Sequence, residues 1–470
     1  MGSEELLVNY DHMPPPVVAD DSNHYRVYGT RWYVLTLYAL LGIHTNIIYS
    51  TFSPIAPIAE SALNLNQSDI SILANWFNIM FCVGLIPFMW MLQVKGMRGP
   101  IVISASLIAI GAWIRCLSTY GMVTGCDKAM LHLGAALNGL SIPVLWCGCT
   151  KLSAVWFPPS ERTISTSVAL VAGGFGVAIS FVIGPYTVDG LAKGFSNGSK
   201  PSDEEYAKAI HYLLYGEAVV AALLLLMTLI YFPSEPPTPP CFTAKSERYS
   251  FFKGFVKFSK SKDGWLLLVL YSISGQLIQS YAQFLSLELG DIMNDIETGW
   301  LGFGITTAGV VSGPLLGLTT KFWVDRWAKH VCCLLMVIGA GFSVLFFFAE
   351  EFVPSLHTKW LAWLCLVGIS LFVAAAQPLW WEMACESIYP VPEEIVGTIY
   401  ALGFTIIGII FYGLYSFPQL GSSWVNYVLA IGEVICIPLI LFYSGETRRL
   451  HEDQVHENDE ITPQNEPEEP

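Results

Sequence analysis

The chain has 470 residues, 53% of them hydrophobic and only 13% charged, with a mean hydropathy of +0.52. A soluble domain carries roughly 25% charged residues, and the long apolar runs here, about 20 residues each, match a hydrocarbon core roughly 30 Å thick. A soluble protein is therefore excluded, and an all-α polytopic membrane protein is expected. The formal charge of -15 belongs mostly to the tails, with -4 in residues 1–30 and -7 in residues 445–470.

Residues 1–30 are polar and acidic with no apolar segment ahead of Trp32, so the first span is expected to act as its own signal-anchor behind a disordered cytosolic tail. Apolar spans follow at about 32–58, 70–92, 100–118, 130–156, 164–188 and 210–232. A linker over 233–263 carries Pro233, Pro236, Pro237, Pro239 and Pro240, then the basic flank Lys253, Lys257, Lys260 and Lys262. Six more spans fall at about 264–287, 299–319, 330–349, 360–385, 395–417 and 424–444, before a disordered acidic tail over 445–470. Twelve helices in two bundles, 31–232 and 264–444, are the pattern of a two-bundle transporter working by alternating access. With both termini cytosolic, Lys and Arg divide seventeen to six in favour of the cytosolic side, as the positive-inside rule requires. The acceptors at Asn66 and Asn197 then fall on the lumenal side, as glycosylation would need.

Eleven cysteines lie mostly in apolar runs and are expected to be small core residues. Cys147-Gly148-Cys149 has the wrong spacing for a zinc pair, so neither a metal nor another cofactor is expected. No GxSxG, HExxH, P-loop or dinucleotide motif is present, and the chain is not expected to be an enzyme. No basic patch with interleaved aromatics points to nucleic acid. The expected partners are a small solute, protons and membrane lipid, with the chain as a monomer.

Polar groups inside a bilayer must be paired or face water. In the seventh span Ser272, Gln276, Gln279, Ser280 and Gln283 recur at three- and four-residue spacing, which makes either a solute-binding cavity wall or interhelical glue. The first span places His44, Asn46 and Tyr49 near the midplane, and Trp146 and Trp380 offer rings for a flat or cationic solute. Three embedded acids remain: Glu217, Glu382 and Glu433. Desolvation favours the neutral form of a carboxyl, so each is either a proton carrier or a structural partner, with Glu217 the first candidate for the proton. Gly173, Gly174 and Gly176 in the fifth span suit close helix packing.

Four runs carry a resemblance: Arg26-Val27-Tyr28-Gly29-Thr30-Arg31-Trp32, Ala154-Val155-Trp156-Phe157 with Glu161-Arg162, Trp300-Leu301-Gly302-Phe303, and Glu386-Ser387-Ile388-Tyr389-Pro390-Val391-Pro392-Glu393. Over about 26–445 the chain resembles the solute carrier 49 family of major facilitators. Its first and last runs look most like one member of that family, which also has acids matching Glu217, Glu382 and Glu386. That resemblance implies a proton-coupled lysosomal carrier exporting pyridoxine to the cytosol. The alternatives are a choline/ethanolamine-type or haem-linked facilitator, a plasma-membrane location, or a non-transporting receptor. The chain departs from choline-moving relatives at Gly174, where they carry a cavity Gln, and at Asn46, where they carry Trp. The facilitator loop acid is absent beside Gln93 but kept as Asp325-Arg326, so gating contacts are expected to rest on the second half.

Overall fold

The computed structural model describes residues 26–118, 127–196, 199–238, 251–320, 324–353, 358–388, 391, 393–421 and 423–444. Sixteen α-helices form among them. The N-terminal ones are α1 (Thr30–Tyr49), α2 (Ala56–Ala62), α3 (Gln67–Lys95), α4 (Arg98–Leu117), α5 (Asp127–Cys147), α6 (Cys149–Trp156), α7 (Pro159–Phe195) and α8 (Asp203–Ile230). After the linker come α9 (Phe251–Ser259), α10 (Lys262–Ala282), α11 (Leu285–Glu288), α12 (Asp295–Thr320), α13 (Val324–Phe352), α14 (Lys359–Ile388), α15 (Glu393–Tyr415) and α16 (Trp424–Leu441).

Eleven described helices are long and apolar enough to cross a membrane. The seventh predicted span, α10, is absent from that set although it has 21 residues. Its Gln and Ser residues lower its hydropathy, and it packs among α14, α15 and α16. The first predicted span is broken. Pro54 sits in a short 3-10 turn, Ser53–Ile55, between α1 and α2, because a proline inside a helix removes one backbone hydrogen bond and clashes with the preceding turn. The break frees Thr51 to point its hydroxyl at α8, where it donates to Glu217 (2.7 Å).

Helices α1–α8 pack on one another, chiefly as α3 on α5, α4 on α5 and α8, and α1 on α7. They enclose a core that includes Leu41, Ile48, Ile101, Ile108, Leu152 and Leu214. Helices α10–α16 pack around two further clusters, one containing Phe284, Leu366 and Tyr412 and one containing Cys332, Trp380 and Tyr400. The halves meet where α3 lies along α15 and α7 along α12.

Two of the runs behind the family resemblance meet at the end of the bundle that holds the described chain ends. Arg31 makes a two-toothed pair with Glu161 (3.0 and 3.2 Å), and Trp32 sets its edge on Phe157 at 5.2 Å between centroids. At the opposite, distal end the halves are laced together. Ser68 donates to the carbonyl of Ser416 (2.5 Å), Ser71 to Tyr412 (2.6 Å), and Ser286 to Pro54 (3.1 Å). Close backbone approach supports this lacing. A Cβ at Gly302 of α12 would strike the Phe181 ring of α7, whose Cγ lies 2.7 Å away.

Candidate functional site

Aromatic and unpartnered polar groups of both halves converge along this junction. Tyr49, at the end of α1, lies on Phe77 of α3 (4.3 Å between centroids), and its hydroxyl bonds that of Tyr412 in α15 (2.8 Å). Trp146 of α5 continues the lining, with its ring 6.4 Å from Phe77 and 5.8 Å from Phe404 of α15. Gly408 of α15 lets α3 and α10 approach together: a Cβ there would meet Gln276 Nε2 at 2.7 Å and Asn78 Nδ2 at 2.9 Å. Gln276 donates to Ser280 (2.9 Å) but its Oε1 has no partner, and neither does Asn78 Nδ2. Gln283 donates to Ser50 across the junction (3.2 Å), while its Oε1 is also unpartnered. Leaving a buried polar atom unmet costs roughly 1–3 kcal/mol, so these atoms are poised to bond water or a polar solute.

The sequence-predicted residues divide around this seam. Tyr49, Trp146, Gln276 and Gln283 come together there. Gln279 is the exposed member of the α10 stripe. One turn before it, Gly275 abuts Gln377 of α14, and one turn after it, Gln283 reaches Ser50. Asn46 sits between α1 and α7, bonding back to the carbonyl of Gly42 (2.8 Å).

Two expectations are corrected. His44 faces into the N-terminal half, where its Nε2 donates to the carbonyl of Glu217 (2.9 Å). Trp380 is fully buried in the C-terminal core beside residues such as Cys332 and Met336, so its ring offers no surface to a solute in this conformation.

The three acids have different surroundings. Glu217 is 6% exposed and pairs with Arg115 Nη1 at 2.9 Å while accepting from Thr51. The charge count places Arg115 on a lumenal flank. It is instead 2% exposed and packs over Phe52, 5.3 Å from the ring centroid. Its position at the end of an apolar run is the available signal, since a cation within a span needs a counter-ion. Beside it lies a cavity of about 20 Å³ bordered by Tyr49, Phe77, Arg115 and Asn138, room for a single water; Arg115 Nε and Asn138 Oδ1 have no hydrogen-bond partner among the described residues. Glu433, in α16, is completely buried and neither carboxyl oxygen has a hydrogen-bond partner among the described residues. Glu382 is exposed in the last turns of α14.

Asn66 is exposed and caps α3, accepting from the backbone N–H of Asp69 (2.7 Å) while Asp69 accepts from that of Asn66 (3.0 Å). Asn197 lies outside the described residues, as do the side chains of Asp325 and Arg326, whose backbone begins α13.

The family model for the Major Facilitator Superfamily matches residues 38–411. The Solute carrier family 49 member 4 homolog of Xenopus tropicalis is 28% identical over 444 residues, covering 91% of this chain and 94% of that protein. The Choline/ethanolamine transporter FLVCR1 of Mus musculus is 24% identical over 399 residues, covering 81% of this chain and 68% of that protein. Among solved structures, a D-xylose-proton symporter superposes with a TM-score of 0.62 at 14% identity over 88% of this chain and 98% of its own. The facilitator FucP in its outward conformation gives 0.58 at 13% identity over 87% of this chain and 98% of its own. Sequence and architecture agree: the chain belongs to the Major Facilitator Superfamily, as a multi-pass membrane transporter related to solute carrier family 49.

Proposed function

We propose that this transporter is a proton-coupled carrier of a small aromatic or amine-bearing solute, pyridoxine in the first instance, exporting it from the lysosomal lumen to the cytosol. The observation that carries the reading is the seam itself, where rings from Tyr49, Phe77, Trp146 and Phe404 flank the unmet polar atoms of Gln276 and Asn78. Flat rings bind a flat heteroaromatic by stacking, and the amide atoms suit its hydroxyl groups. With the termini cytosolic, the laced distal end is the lumenal one, and the conformation described is the one closed to the lumen. Rocking of the halves about the seam would expose it alternately.

For the proton, the geometry favours Glu433 over Glu217. The charge of Glu217 is already met by Arg115, whereas burying a lone carboxylate at Glu433 costs far more than burying the neutral acid. A change in hydration during rocking can therefore drive proton uptake and release there.

A second reading, transport of choline or ethanolamine, has support from the relatives whose names state that activity and from the rings, which also suit a quaternary ammonium. Gly174 weighs against it. A Cβ at that position would strike the Val310 side chain of α12, so the Gln that choline-moving relatives carry would fit only if Val310 moved.

The test is uptake of labelled pyridoxine and of choline by cells expressing a surface-directed form at acidic and at neutral external pH. Pyridoxine uptake favoured by acid, with the pH response flattened in Glu433→Gln, is the expected result. Choline uptake alone, indifferent to pH, would overturn the proposal.

A further inference from the structure

The linker helix α9 has no role in the seam, yet its faces are sharply divided. Gly254 and Phe258, four residues apart, are buried toward the C-terminal half. A Cβ at Gly254 would run into Ile395 of α15, and Phe258 packs edge-on against Tyr400 (6.4 Å) and Trp265 (5.7 Å). Phe255 and Val256 stand beside this contact face, 38% and 53% exposed. Lys257, Lys260 and Lys262 are exposed as well. Trp265, at the start of α10, is 44% exposed and donates its indole N–H to the carbonyl of Ser259 (3.1 Å), tying the end of α9 to the first turn of the neighbouring span.

A helix of nine residues is about 13 Å long, less than half the hydrocarbon thickness, so α9 cannot span the bilayer. Its attachment to the first turns of α10 and α15 places it at the membrane edge. A short helix there, with exposed apolar residues beside exposed Lys257 and with Lys260 and Lys262 just past its end, has the make-up of an interfacial helix. A half-exposed tryptophan at its base belongs to the same boundary layer.

We propose that α9 docks on the bilayer surface, burying Phe255 and Val256 among the acyl chains while Lys257, Lys260 and Lys262 engage the headgroups of anionic phospholipids. Charge complementarity names the occupant. Lys257, Lys260 and Lys262 stand here against two described acids, Asp263, which accepts from the backbone N–H of Ser444, and Glu393 in the first turn of α15, and each lysine held near an anionic leaflet adds attraction that falls off within a Debye length. Because α9 grips the start of α15, the helix that lines the seam from the C-terminal side, lipid composition becomes an input to the transport cycle. This proposal is independent of the solute.

The experiment is amide hydrogen exchange on the full chain in nanodiscs, comparing pure phosphatidylcholine with a mixture containing phosphatidylserine. Exchange over 251–260 should slow by about fivefold or more in the anionic discs. The slowing should vanish at high salt and in a Lys257→Glu, Lys260→Glu, Lys262→Glu variant whose exchange over 266–282 is unchanged. If that variant does not fold, the comparison of wild type in the two lipids, with and without salt, decides alone. Equal exchange in both lipids would overturn the proposal. So would equal slowing produced by inorganic phosphate added to neutral discs, because the site would then take a free anion rather than a lipid surface.

Discussion

At the scale of single residues the decisive pair is Arg115 with Glu217. Both are nearly inaccessible, and each is the other's counter-ion at 2.9 Å. Removing one partner of a buried pair strands the other charge and typically costs about 3–5 kcal/mol, whereas replacing both by apolar groups is often tolerated. Arg115→Leu should therefore lower the thermal unfolding temperature strongly in detergent, and Arg115→Leu with Glu217→Leu should recover most of the loss. A double variant as unstable as the single one would show that the pair does more than neutralise itself. Glu217 is visible in the sequence as an embedded acid, but its partner is not: Arg115 stands 102 residues away on another helix. Its place near the end of an apolar run gives it the look of a flank.

At the scale of helices, the proposed seam depends on how closely α3, α10 and α15 can lie. Gly408 is the position that permits it, because any side chain there meets Gln276 and Asn78 within 2.9 Å. Gly408→Val should push the helices apart, at a packing cost of about 1–3 kcal/mol, and reduce solute flux by roughly tenfold while the protein still reaches the membrane. Gly413→Ala on the same helix has nothing within 4 Å of its new Cβ and should be silent. Loss of flux in the second variant, or none in the first, would remove the seam from the transport path. The polar stripe of α10 is legible from its spacing, and the structure adds that its members differ. Gln276 and Gln283 are buried with one amide oxygen unmet, while Gln279 alone is exposed. Periodicity places residues on one face of a helix, but the neighbours that cover part of that face come from elsewhere in the chain.

At the scale of the whole molecule, the distal lacing between α3 and α15 has to open if solute is to enter from that side. Ser68 and Ser416 lie across it, joined by a hydrogen bond of 2.5 Å. A cleavable thiol cross-linker applied to Ser68→Cys with Ser416→Cys should stop transport, and reduction should restore it. Neither single variant should respond. Undiminished transport by the cross-linked protein would mean that the halves do not separate there, and rocking would no longer describe the cycle.

Much of the architecture is legible in the amino-acid sequence by itself. Run lengths and composition alone determined a helical membrane protein, because a bilayer leaves the backbone few other ways to satisfy its hydrogen bonds. The runs around Arg31, Glu161 and Trp300 pointed to the family that the relatives bear out. Tertiary structure alone decided which polar groups meet. It joined Arg115 to Glu217, left the carboxyl of Glu433 alone, turned His44 and Trp380 away from the seam, and brought Tyr49 to Tyr412 across 363 residues of chain. The physical reason is that hydropathy and spacing are local properties of one segment, whereas ion pairing, burial and a shared cavity depend on which distant helices pack together.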